Sequence, residues 1–171
     1  MLTPDYCQTM ARYNTWQNRE LANAVKDLPK ESLVKDQGAF FGSIQRTLSH
    51  LAWGDMNWIE RFDKGEATDV LMDASTEMLP DLASWMAMRP ALDARIQRWA
   101  DTVDAQTLQG EFSWHSPSMK RDFSRPVIQC VVQMFNHQTH HRGQLHAMVT
   151  AVGGKGWVSD LPFMPEGDGI L

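Results

Sequence analysis

Residues 136–144 read Asn-His-Gln-Thr-His-His-Arg-Gly-Gln and lie inside a longer segment, residues 126–152, that has the pattern of one helix. Pro126 suits the first turn of this helix, and a pair of glycines follows its end. At about 100° per residue, His137 and His141 lie about 40° apart on one face, one turn above the other. Two imidazoles in this arrangement can share one metal ion.

Three segments before this helix have the spacing of amphipathic helices. Their apolar residues recur mainly every three, four or seven positions, at residues 4–28, 43–64 and 80–103. Pro90 interrupts the third segment, because proline removes a backbone hydrogen bond and clashes with the preceding turn. The third segment is therefore either one kinked helix or two pieces that meet near Arg89.

The remaining segments predict connections and one hairpin. Residues 111–124 alternate apolar and polar side chains around a Ser-Pro-Ser sequence, which is typical of a β-hairpin. Residues 30–40 predict a short polar loop, residues 66–79 a connection with a short helical turn, and residues 157–166 a tail packed on the helices or on a second subunit. The pattern predicts an all-α, up-and-down four-helix bundle with a small β-hairpin before the last helix. We expect a single domain over residues 1–171.

Composition and charge exclude several classes of protein. The net charge is -5, and no cluster of Lys and Arg offers a surface for a nucleic-acid backbone. No window approaches the roughly 18 uninterrupted apolar residues of a membrane-spanning helix, and the first residues lack the pattern of a signal peptide. Cys7 and Cys130 are far apart and outside any CxxC spacing, which favours a reducing compartment. We therefore expect a cytoplasmic protein that binds neither nucleic acid nor a membrane.

A metal site on the last helix needs a third ligand, because two stacked imidazoles chelate weakly. His50 lies in the middle of another helical segment, whereas His115 falls in the hairpin and His146 points about 180° away from His137. His140 is a nearer rival, about 80° from the mean direction of the pair. Spacing alone leaves open whether these histidines bind metal or are hydrogen-bonded residues of the core. Three imidazoles would leave a coordination position for water or substrate, as in catalytic sites.

Four groups of residues resemble the DinB/YfiT family of metalloenzymes. They are Tyr13, Asn14 and Trp16 in the first helix, HLAWGDMNW at residues 50–58, HQTHHRGQ at residues 137–144 and DLPF at residues 160–163. The resemblance covers nearly the whole chain and implies a four-helix bundle, commonly a homodimer. It also implies one divalent ion held by one histidine of the second helix and two of the last. We expect zinc or nickel first, while imidazoles also accept copper, iron and cobalt. In this sequence those ligands are His50, His137 and His141.

The resemblance also implies an activity, because the family includes transferases and isomerases that use small cytosolic thiols. Three neutral imidazoles leave a divalent ion its full charge. We therefore expect a bound water to have a pKa of about 7 and a bound thiol to ionise. We expect a metal-dependent thiol S-transferase, or a related isomerase, acting on a small electrophilic molecule in a pocket walled by aromatic residues of the first two helices. Two alternatives stay open: a non-catalytic metal-binding stress-response dimer, and a metal-dependent hydrolase.

Helix geometry predicts roles for five other residues near the histidines. Asn57 and Gln144 lie on the inward faces of the ligand helices and are predicted to orient water or the ligands. Gly54 leaves room beside the imidazole on its own helix, and Gly143 is expected to permit close helix packing. Arg142 points about 120° away from the ion and is predicted to form a structural ion pair. No Asp or Glu has a clear inward position beside the histidines, which weakens the hydrolase alternative.

Overall fold

The structure is a computed structural model that describes residues 2–116 and 119–166. Its helices are α1 Pro4–Val25, α2 Lys30–Val34, α3 Ile44–Asp63, α4 Leu82–Thr102, α5 Ala105–Leu108 and α6 Val127–Ala151. Two strands, β1 Glu111–Ser116 and β2 Arg121–Pro126, pair antiparallel, and 3₁₀ turns lie at Met72–Glu77 and Leu161–Phe163. The chain is mostly helical with one small two-stranded sheet. The predicted hairpin is confirmed, and residues 117 and 118 of its expected turn lie outside the described residues.

Side-chain caps fix where α3 and α4 begin. The hydroxyl oxygen of Ser43 accepts a hydrogen bond from the backbone N–H of Arg46 at 3.3 Å, and Asp81 accepts one from Ser84 at 2.8 Å. Lys64, in the left-handed conformation with φ 55°, ends α3 as the sequence predicts. These ends place His50 in the second turn of α3.

The four long helices each have two main neighbours. α1 packs against α4 and α6, and α3 packs against the same two helices. A four-helix bundle requires this pattern of contacts, and the up-and-down course of the helices stays a prediction. Fully buried apolar side chains fill the space between the helices, among them Leu21, Leu48, Trp85, Ile96, Met134 and Phe135.

One connection differs from the sequence interpretation, and one open alternative is decided. Residues 30–34 form the short helix α2 instead of a loop, because Leu33 is buried against the core and gives this polar segment an apolar anchor. α4 runs through Pro90 as one helix, which decides between the two predicted alternatives. Pro90 is exposed, so its ring does not disturb the buried side of α4.

The chain after α6 packs back on α1. Gln17 donates a hydrogen bond to the backbone oxygen of Val158 at 3.0 Å, and the Tyr13 hydroxyl donates one to Ser159 at 2.6 Å. The indole N–H of Trp157 donates to the Gln17 side-chain oxygen at 3.0 Å. The predicted docking of the tail on the helices is therefore confirmed for residues 157–159.

Within the described residues, no helix has both the length and the apolar character that a membrane span requires.

Candidate metal centre

Three histidines from two helices meet inside the helical packing. His50 comes from α3, and His137 and His141 come from α6; their possible ligand nitrogens all lie within 4.8 Å of one another. The Nε2 atoms of His50 and His137 are 3.1 Å apart. Two imidazoles bound to one tetrahedral ion at about 2.0–2.1 Å have nitrogens roughly 3.3 Å apart. The observed separation therefore fits two ligands of one ion.

Helix geometry and a glycine bring the rings together. His137 and His141 stand one turn apart on α6, with ring centroids 4.4 Å apart, and His50 reaches them across the contact between α3 and α6. A Cβ atom at Gly54 would lie 2.5 Å from Cε1 of His137. Gly54 thus makes room for an imidazole as predicted, but the imidazole belongs to the opposite helix.

A serine of the 3₁₀ turn Met72–Glu77 fixes the tautomer of His50. Its Nδ1 lies 2.8 Å from Oγ of Ser75, and that hydroxyl donates its only proton to the backbone oxygen of Met72 at 2.6 Å. Oγ of Ser75 must therefore accept from the Nδ1–H of His50. The lone pair of His50 is then on Nε2, which faces His137. Sequence reasoning missed Ser75, because it lies in an irregular connection with no periodic signal.

Gln144 fixes the tautomer of His141 in the same way. The amide oxygen of Gln144 lies 2.8 Å from Nδ1 of His141, while its nitrogen lies 3.2 Å from Nε2 of His140. Because the amide nitrogen donates to His140, its oxygen accepts from the Nδ1–H of His141. The Nε2 lone pair of His141 is therefore free. His140 is exposed and lies outside the cluster.

His137 has no such partner. Its Nδ1 is buried without a hydrogen bond to any described residue, so the ring is positioned by packing. The Nε2 lone pair of His50 points at Nε2 of His137 across only 3.1 Å, and two lone pairs at this distance repel unless a proton or a cation lies between them. The donor set of three imidazoles therefore fits a divalent cation.

Burial keeps all three imidazoles neutral near pH 7. It lowers the pKa of His50 to about 3 and that of His137 to about 4, and the neighbouring imidazoles add to both effects. Burial also lowers the pKa of His141. Neutral imidazole is the form that binds metal, so protons compete weakly for this site at physiological pH.

A buried carboxylate lies behind the histidines. Asp55 is only 1% exposed; its Oδ2 accepts from Arg89 at 2.6 Å and its Oδ1 from Gln138 at 2.5 Å. Its negative charge raises the pKa of His137, against the larger opposite effect of burial. The expectation that no acidic residue has an inward position beside the histidines is wrong for Asp55, because its partners Arg89 and Gln138 come from α4 and α6 and spacing on one helix does not reveal them. Both carboxylate oxygens are engaged in hydrogen bonds.

Two aromatic residues border the histidines. The Phe41 ring centroid is 4.1 Å from that of His50 and 5.3 Å from that of His141, and Trp53 is 5.5 Å from His50. Phe41 lies in the loop before α3, where Gly42 adopts φ 81°. The sequence predicts aromatic walls from its first two helical segments, residues 4–28 and 43–64. Trp53 lies in the second of these, which is α3. Phe41 lies in the loop before α3, where the sequence has no helical periodicity.

Two roles predicted on α6 are wrong. Arg142 is buried, donates to the side-chain oxygen of Asn14 and lies 5.5 Å from the Tyr13 ring, and no described carboxylate is within ion-pair distance. Burial lowers its pKa to about 10. Gly143 is exposed, and a Cβ there would meet no atom of the described residues within 4 Å. The surface of α6 that carries Gly143 faces away from the other helices.

The other candidate residues lie outside the cluster. Asn57 is half-buried and forms no side-chain hydrogen bond with any described residue, so its role stays a prediction. His115 is exposed and pairs with Asp122 at 2.8 Å. His146 packs against Trp157, with ring centroids 4.4 Å apart.

The Gly54 contact predicts that one added methyl group disturbs the cluster. In Gly54→Ala, the new Cβ would displace the His137 ring, and we expect metal affinity to fall by about 10- to 100-fold, the size seen when the support of a ligand is lost. Titration with zinc against a chromophoric chelator measures the change. Gly143→Ala, also in a helix but in open space, is the matched control and should bind like the wild type. Equal affinities for all three proteins would contradict this packing role.

Comparison with known proteins places these residues in a family context. Residues 1–168 match the sequence profile of the DinB family. The chain is also similar to Protein DinB of Bacillus subtilis (strain 168), with 27% identity over 154 residues that cover 87% of each chain. The family match over residues 1–168 includes both helices that carry the three histidines.

Proposed function

The chain belongs to the DinB family, and we propose that it binds one divalent metal ion through His50, His137 and His141 and acts as a metal-dependent thiol S-transferase or related isomerase. One observation carries this proposal. Three neutral imidazoles converge, and hydrogen bonds to Ser75 and Gln144 hold two of them with Nε2 free. We assign Gln144 the role of orienting His141, and we retain Asn57 as a residue that orients water.

We propose zinc or nickel as the ion; neutral imidazole nitrogen suits both, and it also suits copper and iron. A bound divalent ion would supply a Lewis acid that lowers the pKa of a thiol or water. The residues of the chain supply the rest. Ser75 and Gln144 keep protons on the outward nitrogens of His50 and His141, and Gly54 leaves the space that His137 occupies.

The surroundings favour thiol chemistry over hydrolysis. A hydrolase needs a group that accepts a proton from water, and both oxygens of Asp55 already accept hydrogen bonds from Arg89 and Gln138. A thiol has an ordinary pKa of about 8.5, far below that of water, so it would release its proton to solvent at the site and depend less on such a base. Phe41 and Trp53 offer apolar surface for the carbon skeleton of a small electrophilic substrate beside His50.

The assembly and location of the protein belong to the same proposal. We propose a homodimer in the cytoplasm, with an up-and-down four-helix bundle in each subunit and a low-molecular-weight thiol as co-substrate. The family resemblance supports the dimer and the thiol, and the net charge of -5 speaks against a nucleic-acid partner.

Thiol conjugation is the direct test. We expect protein loaded with zinc or nickel to accelerate the reaction of small thiols with a panel of electrophiles, followed by mass spectrometry of the conjugate, and His137→Ala to lose the acceleration. His140→Ala, from the same histidine string but outside the cluster, is the control. If loaded wild-type protein binds metal tightly and conjugates none of the panel, the non-catalytic metal-binding alternative is favoured instead.

A further inference from the structure

A pocket lies beside the histidines, at the loop between α2 and α3. Its volume is about 430 Å³, within the range of roughly 300–1,000 Å³ that small-molecule sites occupy. Val34, Phe40 and Phe41 give it apolar walls, and Asp36 and Arg46 are the charged residues among those that line it. We call this space the loop pocket. No role described so far uses its two charges.

The two charged side chains of the loop pocket are accessible. The Arg46 side chain is 52% exposed; its Nη2 donates to the Thr76 hydroxyl at 3.1 Å, and its Nη1 lies 3.7 Å from the exposed carboxylate of Glu77. An exposed ion pair of this length is weak. Asp36 is exposed, accepts a hydrogen bond from the backbone N–H of Gly38 at 2.9 Å and forms no ion pair with any described residue. Both groups can therefore receive a ligand.

The two charges border the same short stretch of backbone. A Cβ at Gly42 would lie 3.6 Å from Oδ1 of Asp36. The next residue, Ser43, accepts a hydrogen bond from the backbone N–H of Arg46 at 3.3 Å. Asp36 would repel a ligand that carries only a carboxylate, and Arg46 would repel one that carries only an ammonium group. A molecule with both groups complements both residues.

The loop pocket is about one helical turn from the histidines. Arg46 precedes His50 by four positions on α3, so their Cα atoms are about 6 Å apart along one face of the helix. Neighbouring residues of one 3₁₀ turn hold them, since Thr76 binds Arg46 and Ser75 binds His50. Phe41 lines the pocket, and its ring centroid is 4.1 Å from that of His50. One wall is therefore common to the pocket and the candidate metal centre.

We propose that the loop pocket binds the head group of an α-amino acid, with the carboxylate on Arg46 and the ammonium group on Asp36. In one respect this inference rests on the proposed function, because the ligand is then the thiol co-substrate. That thiol belongs to the class of cysteine and its derivatives with free amino and carboxyl groups. Val34 and Phe40, which are 58% and 82% exposed, offer apolar surface to its carbon atoms.

Three compounds with the same methylthio end test the head group. S-methylcysteine carries both charges, 2-(methylthio)ethylamine only the ammonium group and 3-(methylthio)propionate only the carboxylate. None has a free thiol, and the full-length protein is first stripped of metal with EDTA. We expect S-methylcysteine to shift the backbone amide signal of Gly42 saturably in a nitrogen–proton NMR spectrum. It should bind at least tenfold more tightly than either analogue, about the contribution of one hydrogen bond to a charged group.

Variants of the two charged residues locate the binding. Arg46→Gln should lower the affinity for S-methylcysteine to that of the amine, and Asp36→Asn should lower it to that of the carboxylate. Asparagine keeps an oxygen that accepts from the N–H of Gly38, so the loop retains this contact. Arg98→Gln and Asp5→Asn replace exposed residues that do not line the pocket, and both controls should bind like the wild type. Circular dichroism checks that each variant is folded.

The results separate the loop pocket from the proposed function. Equal affinity for the three compounds, no saturable shift, or wild-type binding by both pocket variants would overturn the amino-acid site. Thiol conjugation by metal-loaded protein together with any of these results would support the proposed function and refute the pocket. Selective binding of S-methylcysteine by stripped protein, without conjugation by loaded protein, would support the amino-acid site and count against the transferase.

Discussion

Replacing His50 with alanine is expected to remove metal from the protein. Two imidazoles of α6 would remain, and a two-ligand chelate holds an ion much more weakly, so the loss should exceed the roughly 10- to 100-fold caused by removing a supporting group. Protein purified without a nickel column, measured by elemental analysis and chelator competition, gives the result. His137→Ala and His141→Ala should behave alike, since all three nitrogens lie within 4.8 Å.

The same histidine string contains the control for this experiment. His140 is exposed and adjacent to His141, so His140→Ala should keep wild-type metal content. Ser75→Ala, which removes only the hydrogen bond to Nδ1 of His50, should show a smaller loss than His50→Ala. Circular dichroism checks that each variant is folded. Metal retained in His50→Ala and lost in His140→Ala would refute the assigned ligand set.

Replacing Arg89 with methionine is expected to destabilise the protein by about 3–5 kcal/mol, the cost of leaving a buried charge without its partner. Arg89 is 3% exposed and pairs with Asp55 and Asp93, which are 1% and 5% exposed. Chemical denaturation at pH 7.5 measures the free energy of unfolding. Because methionine fills similar space, the loss reports the unpaired carboxylates more than a cavity.

Acid should partly reverse the effect of Arg89→Met. Burial already raises the pKa of Asp93 against the opposing charge of Arg89, and removal of the guanidinium raises it further. A carboxyl group whose pKa is higher in the folded than in the unfolded state stabilises the protein at low pH, and this stability is lost as the pH rises through the folded-state pKa. The difference in the free energy of unfolding between Arg89→Met and the wild type should therefore become smaller towards pH 5. Arg95→Met is the control, because Arg95 and Asp63 form a partly exposed pair whose loss costs at most about 1 kcal/mol. Equal destabilisation by both variants would contradict the buried-network interpretation.

The histidine pair and most helices were predictable from local pattern. Positions four apart share a helical face whatever the helix packs against, and His137 and His141 do stack one turn apart. α3 begins after Ser43 and ends before Lys64, in agreement with the predicted bounds 43–64, since caps act on the backbone within a few residues. The family resemblance, confirmed by the match over residues 1–168, supplied the third histidine that spacing had left open.

The failed predictions share a physical cause. The roles of Arg142 and Gly143 were predicted from their angular positions on one helix. An angular position does not show which residue of a neighbouring helix lies opposite. Asn14 of α1 accepts a hydrogen bond from Arg142 through its amide oxygen, where a carboxylate was expected, and no described residue covers Gly143. Residues 30–34 have the polar composition of a loop, but they form a helix because Leu33 packs into the core.

The sequence by itself determined the helical periods, the caps and the stacked histidines of α6, because backbone hydrogen bonds between near neighbours set them. Only the tertiary structure decided that His50, 87 positions upstream, lies 3.1 Å from His137, that Ser75 fixes its tautomer and that Phe41 covers it. It also decided that Asp55 is held by Arg89 and Gln138. These contacts depend on which faces of segments distant in sequence pack against each other and exclude water. The spacing of residues within one segment does not contain that information.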